Sequence, residues 1–349
     1  NDSAITVLVN VVIRTAVEAR ASDIHMLPMA NRIEVLFRED GKPFDYSAQF
    51  NIDTREYRRF VNKIKTKCDP HLDISQQKVP QDGAFRIVID KKKIDCRVNT
   101  MPSYYGEKIN IRLFDVAGEL LSIEALGFSP EDVSMLKKIL TRPSGMILVS
   151  APTGHGKSTT IHSMIRTFDP TKQIIIAIED PVEELLPGVA QVQVQNVADE
   201  KLSLTFARAL RACLRQDPNI LAVGEIRDSE TAKIAIAASQ TGHMFFSTVH
   251  ARDSISSLAR VLEMGVPRGD FLREMVCIIS QRLVSLNCPE CSVDTVPSPE
   301  SLAFLTEKER QMVLQGKPKK GTGCPRCKHR GFYGRMAVPE YIVFNNEVR

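Results

Sequence analysis

Near the start of the chain, Ile5, Leu8, Val12 and Ala16 recur every three to four residues, which predicts an amphipathic helix closed by Ala21-Ser22-Asp23. Beyond it the period drops to two. Ile33 to Phe37 runs into the turn signal Asp40-Gly41, and Phe85 to Ile89 and Ile94 to Val98 flank Asp90-Lys91-Lys92-Lys93, so a hairpin is expected there. A further strand is expected at Lys108 to Leu113. After about Leu121 short apolar runs at Met146 to Ser150, Ile174 to Ile178 and Ile220 to Val223, and the apolar stretch within Thr241 to His250, alternate with helical segments. This is the mark of an α/β unit. The expected organisation is a smaller α+β domain over residues 1–115, a linker over 116–121 and an α/β domain over 122–349.

Composition narrows the class without naming it. The chain has 349 residues, 43% hydrophobic and 25% charged, which fits two globular domains and excludes disordered and fibrous architectures. No apolar run approaches the roughly 18 residues that span a bilayer. A net charge of +4 is too small to mark a nucleic-acid or membrane surface by itself. Lys91 to Lys93 can be read as a docking patch or as a solvated hairpin tip. Eight cysteines are few for a disulfide framework, and four of them form two CxxC pairs, which points to a metal site in a reducing, cytosolic compartment. Asn1 stands where Met would open a complete chain, so further residues are expected upstream.

The most informative segment follows the strand at Met146 to Ser150. Ala151-Pro152-Thr153-Gly154-His155-Gly156-Lys157-Ser158-Thr159-Thr160 leads into a helical pattern, giving a strand, a glycine loop and a helix. Such a loop cradles phosphates with backbone N–H groups, Lys157 reaches the β- and γ-phosphates, and Ser158 can ligate Mg²⁺. Thr153, Gly154, His155, Gly156, Lys157, Ser158 and Thr159 are therefore the expected nucleotide-binding residues. Ala151 replaces the first glycine of the usual pattern, which the loop tolerates only if φ is negative there. Acidic partners are expected at strand ends: Glu183 after Ile174 to Ile178, and Glu225 after Ile220 to Val223. His250, at the end of the next strand, is a candidate γ-phosphate sensor, and His243 before that strand is a candidate cap.

In the first domain Ile94, Cys96 and Val98 alternate with Asp95, Arg97 and Asn99, and Ile109, Ile111 and Leu113 alternate with Lys108, Asn110 and Arg112. If these strands are antiparallel neighbours, Arg97 and Arg112 share the polar face. A solvated face and a phosphate contact are both open. Arg208, Arg211 and Arg215 form one basic helical stripe, readable as a solvated or intersubunit ion-pairing face or as a contact to lipid or nucleic acid. Finally, Cys288-Pro289-Glu290-Cys291 and Cys324-Pro325-Arg326-Cys327, with 32 residues between the knuckles, can close a tetrahedral, structural Zn²⁺ site. The module is expected at about 284–335, with a helix over Leu302 to Leu314. Lys317, Lys319, Lys320, Arg326, Lys328 and Arg330 are expected to offset the thiolate charge. His329 is expected to be a bystander, and Cys68, Cys96, Cys213 and Cys277 are expected to be ordinary buried thiols.

Taken in order, these segments resemble the type II secretion and type IV pilus assembly ATPases. The resemblance rests on the Walker A loop Ala151 to Ser158, the Asp box Ile178-Glu179-Asp180-Pro181-Val182-Glu183, the Walker B strand through Gly224-Glu225-Ile226-Arg227-Asp228 and the His box Thr241 to His250. Leu204-Thr205-Phe206, Leu214-Arg215-Gln216-Asp217-Pro218, Ala21-Ser22-Asp23-Ile24-His25, Pro80-Gln81-Asp82-Gly83 and Gly106-Glu107-Lys108 extend it over nearly the whole chain. It implies a RecA-like P-loop ATPase domain preceded by a smaller, PAS-like α+β domain. It also implies a cytoplasmic homo-hexamer, peripheral to the inner membrane, that hydrolyses ATP with Mg²⁺ and works on a platform protein of the machine. In that family arginines at Arg97 and Arg112 sense phosphate. Glu183 is expected as general base and Glu225 in the Mg²⁺ shell, an assignment the residues leave reversible. Similar extension and secretion ATPases carry the tetracysteine module, and retraction ATPases generally lack it. A pilus-retraction ATPase, a DNA-translocating conjugation or competence motor and a non-hydrolysing scaffold are the rivals; stable nucleic-acid binding is not expected.

Overall fold

The computed structural model describes residues 2–115, 120–195 and 203–345. The expected linker at 116–121 falls largely outside them. Helix α1 (Asp2–Glu18) buries Ile5, Val9, Val12, Ile13 and Ala16. It stops earlier than the sequence pattern suggests, because Arg20 takes a left-handed φ of 58° and Ala21-Ser22-Asp23 already opens a strand. That strand, β1 (Ala21–Pro28), joins β2 (Ile33–Glu39), β3 (Lys42–Asp45), β4 (Gln81–Ile89), β5 (Lys92–Ser103) and β6 (Gly106–Asp115) in an antiparallel sheet of order β3-β2-β1-β6-β5-β4. The short α2 (Ser47–Phe50) and the Asp53-capped α3 (Thr54–Lys67) pack with α1 over the same apolar face.

Two expectations are settled by this sheet. The β4–β5 turn is made by Asp90 and Lys91 at φ 49° and 68°, and Lys91 to Lys93 are exposed at this hairpin tip. Arg97 and Arg112 are direct register partners across β5 and β6. Beneath α3, Lys65 is fully buried with its ammonium 2.6 Å from Glu107 and donating to the Gln76 carbonyl at 2.8 Å.

The second sheet has the order β15-β12-β7-β11-β10-β8-β9. Its strands are β7 (Gly145–Ser150), β8 (Ile175–Glu179), β9 (Ala190–Gln193), β10 (Ile220–Val223), β11 (Met244–Val249), β12 (Met275–Asn287) and β15 (Phe332–Val343), all parallel except β15. Every residue of β7, β8, β10 and β11 is buried, as a sheet covered on both faces requires. The helices α4 (Pro130–Leu140), α5 (Lys157–Ile165), α6 (Phe206–Cys213), α7 (Ser229–Gln240), α8 (Ser254–Glu263) and α9 (Arg268–Glu274) lie along the same stretch of chain. Their apolar sides enter two cores, one on each face of the sheet.

Between β12 and β15 the chain makes an excursion through β13 (Ser292–Asp294), α10 (Pro299–Leu302), α11 (Glu307–Gln315) and β14 (Lys319–Gly321). The single helix expected over Leu302 to Leu314 is two helices. Thr306 and Glu309 form a capping box that starts α11 afresh. Lys328 and Arg330 are also corrected. Instead of screening the thiolates they reach Glu39 of the first domain, with Arg330 Nη2 2.9 Å from Oε1 and Lys328 Nζ 3.4 Å from Oε2. Tyr46 donates to the same carboxylate at 2.6 Å, and the Arg330 guanidinium lies 3.6 Å above the Phe44 ring. Burial works against the Glu39 charge, but these partners hold its carboxyl below the usual value.

Lys65→Met should cost about 3 to 5 kcal/mol in urea unfolding, because Glu107 stays buried without its cation. The double variant Lys65→Met, Glu107→Leu should recover most of that loss; equal stability of both variants and the parent would contradict this account of the pair.

Candidate functional site

The glycine loop leaves β7 at Ser150 and feeds α5, as its residues predict. Gly154 and Gly156 take φ of 76° and 78°, values a side chain resists, while Ala151 is buried and is not among the described residues with positive φ. The substitution of the first glycine is therefore without strain. Lys157 Nζ donates to the Ala151 carbonyl at 3.0 Å. Burial pulls the ammonium below its ordinary value, partly offset by Glu225 and Glu183. Thr153, Gly154, Gly156, Lys157, Ser158 and Thr159 line a cavity of about 540 Å³. His155 does not. Its ring accepts from the Leu283 N–H at 2.9 Å, and its carbonyl accepts from Gln281 Nε2 at 2.8 Å, so it pegs the loop to β12.

The acidic edge of the cavity comes from the ends of β8 and β10. Glu183 is half-buried, and that loss of solvent pushes its carboxyl up against the pull of His162 and Arg97. Glu225, with a side chain 12% exposed, sits 3.1 Å from His250 Nε2 and is also paired with Arg227. His250 is itself 57% exposed at the cavity. His243, outside the cavity lining, donates from Nδ1 to the Ala238 carbonyl at 2.8 Å, a turn role. Facing these acids from the other sheet are Arg97 and Arg112. Burial pulls Arg97 below its usual value, and Glu183 and Asp180 counter that pull. Its guanidinium stacks 4.7 Å over Phe114, while Arg112 Nε lies 2.9 Å from Asp23 Oδ1.

Several contributors were missed in the sequence. Gln281 is 1% exposed and accepts from Thr160 Oγ1 at 2.8 Å, bracing α5 as well as the loop. Asp23 orients Arg112, and Arg335 and Arg227 add cations to the cavity wall. His162, one turn into α5, has each ring nitrogen on a carboxylate: Nε2 is 3.5 Å from Glu179 and Nδ1 is 3.3 Å from Glu184. Burial disfavours its charge, yet the two carboxylates outweigh it and raise the imidazole to about 9. The basic stripe on α6 stays exposed, and each of its arginines has a partner within the chain. Arg211 pairs with Glu230, Arg215 donates to the Arg211 carbonyl at 3.0 Å and Arg208 to the Ser203 carbonyl at 3.1 Å.

Cys288, Cys291, Cys324 and Cys327 come together, all four sulfurs within 4.8 Å of one another. Neighbouring sulfurs are 3.7 Å (Cys288–Cys324), 3.7 Å (Cys291–Cys327) and 3.8 Å (Cys324–Cys327) apart. A regular tetrahedron with metal–sulfur bonds of about 2.3 Å has edges of about 3.8 Å, so the donor set fits Zn²⁺ with no open position. N–H groups of Cys324 and Gly331 donate to the Cys327 sulfur, and against the effect of burial they draw its thiol down to about 6. His329 is outside the cluster. Arg326 pairs with Glu290 at 2.9 Å. Cys68, Cys96, Cys213 and Cys277 are buried and unlinked, as expected.

A parallel sheet of this order, with a glycine loop after β7 and carboxylates at neighbouring strand ends, defines a RecA-like P-loop nucleotide-binding fold joined to an α+β domain. All of residues 1–349 match the family described as Type II/IV secretion system protein, and the chain belongs to that family. It is 40% identical to the type IV pilus assembly ATPase PilB of Thermus thermophilus over 350 residues, covering 100% of this chain and 38% of that protein. It is 37% identical to a putative type II secretion system protein E of Escherichia coli, covering 100% and 69%. Among solved structures, the Legionella pneumophila ATPase DotB shares the fold with a TM-score of 0.67 over 97% of this chain and 80% of its own, at 19% identity. The pilus retraction motor PilT, solved with ADP, gives 0.59 over 87% of each chain at 29% identity. Among the described residues no helix is long and apolar enough to cross a membrane.

Metal analysis should find about one thiolate-bound ion per chain, Zn²⁺ by preference. Cys324→Ser should release it and expose residues 288–331 to limited proteolysis while β7 to β11 stay protected. A metal-free preparation with the same protease resistance would argue against a metal role for the four thiols.

Proposed function

We propose that this chain is the motor core of a type IV pilus assembly or type II secretion machine, a cytoplasmic homo-hexamer at the inner membrane that hydrolyses ATP and passes domain rotation to a platform protein. The observation that carries this reading is the cavity itself. Arg97 and Arg112 from one sheet face Lys157, Glu183 and Glu225 from the other. The glycine loop and Lys157 bind the phosphates, and Glu183 accepts the proton of the attacking water, a task for which its raised carboxyl makes it a stronger base than a free glutamate. Arg97 and Arg112 neutralise charge at the γ-phosphate, which ties the position of the first domain to whether ATP or ADP is bound. His250 reports the same phosphate, a reading supported by its contact with Glu225 at the cavity.

Ser158 and Glu225 offer hard oxygen donors on one cavity wall, the set that suits a largely hydrated Mg²⁺. When bound, that ion would neutralise phosphate charge. The four-thiolate site suits structural Zn²⁺, and together with the relatives named above it favours an extension or secretion motor over retraction.

Lys157→Ala should abolish most nucleotide affinity. Glu183→Gln should leave ATP binding nearly intact and lower turnover by about 10²-fold or more. Arg97→Ala and Arg112→Ala should reduce turnover more than ADP affinity. Parent-like hydrolysis by Glu183→Gln would remove it as the base, and a salt-sensitive stimulation of turnover by DNA would favour the translocating motor instead.

A further inference from the structure

We infer that His162 is a positioning residue for hydrolysis: as a buried imidazolium it clamps Glu179 and Glu184 and so fixes the segment carrying Glu183 to the helix that begins at the phosphate loop. The inference rests on the proposed role of Glu183. It starts from the valence of the ring. A neutral imidazole has one donor and one acceptor, yet both nitrogens of His162 face carboxylate oxygens, which only accept when ionised. Only the doubly protonated ring satisfies both. The residue is 5% exposed, so water cannot replace either partner at low cost.

The two carboxylates bracket the segment that matters. Glu179 ends β8 and Glu184 lies just past Glu183, so a cation bound to both holds the loop at each end. Gln191 of β9 completes the frame, donating to Glu179 Oε1 and to the Glu184 carbonyl, each at 2.8 Å. The other end of the clamp is α5, whose first residues are Lys157 and Ser158. Phosphate loop and base are thereby locked in one unit. Without the imidazolium, Glu179, Glu183 and Glu184 would crowd one half-dry pocket with Arg97 as the cation left facing Glu183. Such a cluster relieves itself by taking up a proton or by spreading.

The charged groups facing the ring are Glu179 and Glu184, with Glu183 next beyond them. Because the imidazole is raised from 6.5 to about 9, its contribution to stability is complete below about pH 6.5 and is lost as pH rises through about 9. Glu183 responds in the opposite sense, since losing the nearby cation makes its carboxyl harder to ionise.

The test uses the full chain: kcat and KM for ATP from pH 5 to 9.5 on the parent, His162→Gln and His162→Lys, with ring ¹⁵N NMR on the parent. The expected ring is doubly protonated at pH 7.5. His162→Gln should lose about ten- to a hundredfold in kcat with KM little changed, the scale of a misplaced catalytic group. Its acid limb should move up by about one pH unit, and His162→Lys should return that limb towards the parent. A neutral ring at pH 7.5, or a glutamine variant whose pH profile overlays the parent's, overturns the clamp while leaving the ATPase reading intact. A parent without ATP turnover overturns the ATPase reading and the positioning role with it.

Discussion

Arg97 and Arg112 stand directly opposite each other on adjacent strands, an arrangement that repels unless something offsets it. Three things do. Asp23 binds Arg112, Phe114 accepts the face of Arg97, and Glu183 and Asp180 approach from the second sheet. The acids have the reciprocal problem, since several carboxylates at neighbouring strand ends need cations nearby. Each sheet thus supplies the counter-charge of the other. This mutual dependence explains why the cavity lies at the meeting of two sheets and why a polyanionic phosphate chain entering it would redistribute every pair.

The redistribution needs a rigid frame, and burial provides one. The central strands are buried over their whole length and apolar over most of it, so their polar residues gather towards the C-terminal ends, as Ser150, Glu179, Ser247 and Thr248 do, and in the loops that follow. Buried side-chain amides then connect those loops. Gln281 ties α5 and the glycine loop to β12, and Gln191 ties β8 to β9 and to the loop that carries Glu183. Such bonds are modest individually but leave unsatisfied groups behind if broken, which is why they specify geometry more than they add stability.

What the sequence revealed follows from range. The strands that were read, the β4–β5 turn, the glycine loop and the cysteine knuckles are all written in a few consecutive residues and formed to within a residue or two, whereas β1, β3, β9, β12 and β15 were not read. Contacts between distant residues were not legible. Thr160 and Gln281 are 121 residues apart, Asp23 and Arg112 are 89 apart, and Glu39 and Arg330 are 291 apart. His162 went unread, because nothing local announces that its two partners are acids from the end of β8 and the loop after it. His155 misled for the opposite reason. It sits inside a recognisable motif, so the motif lent it a ligand role that its ring, turned to β12, does not take. The division of Leu302 to Leu314 was legible in principle, since Thr306 and Glu309 have capping-box spacing, but the apolar pattern overrode it.

The cysteine excursion leaves the main sheet after Asn287 and returns at Phe332, and these two residues face each other across β12 and β15. In topological terms the excursion is the loop of a long β-hairpin. A tight turn could join the same two strands with the sheet's register untouched, so this kind of module can be gained or lost in descent without redesigning the motor beneath it. A turn would bring no counterpart of Lys328 and Arg330 to Glu39. The insertion is therefore neutral for the architecture of the sheet but not for the coupling between domains, and that difference is what natural selection can act on.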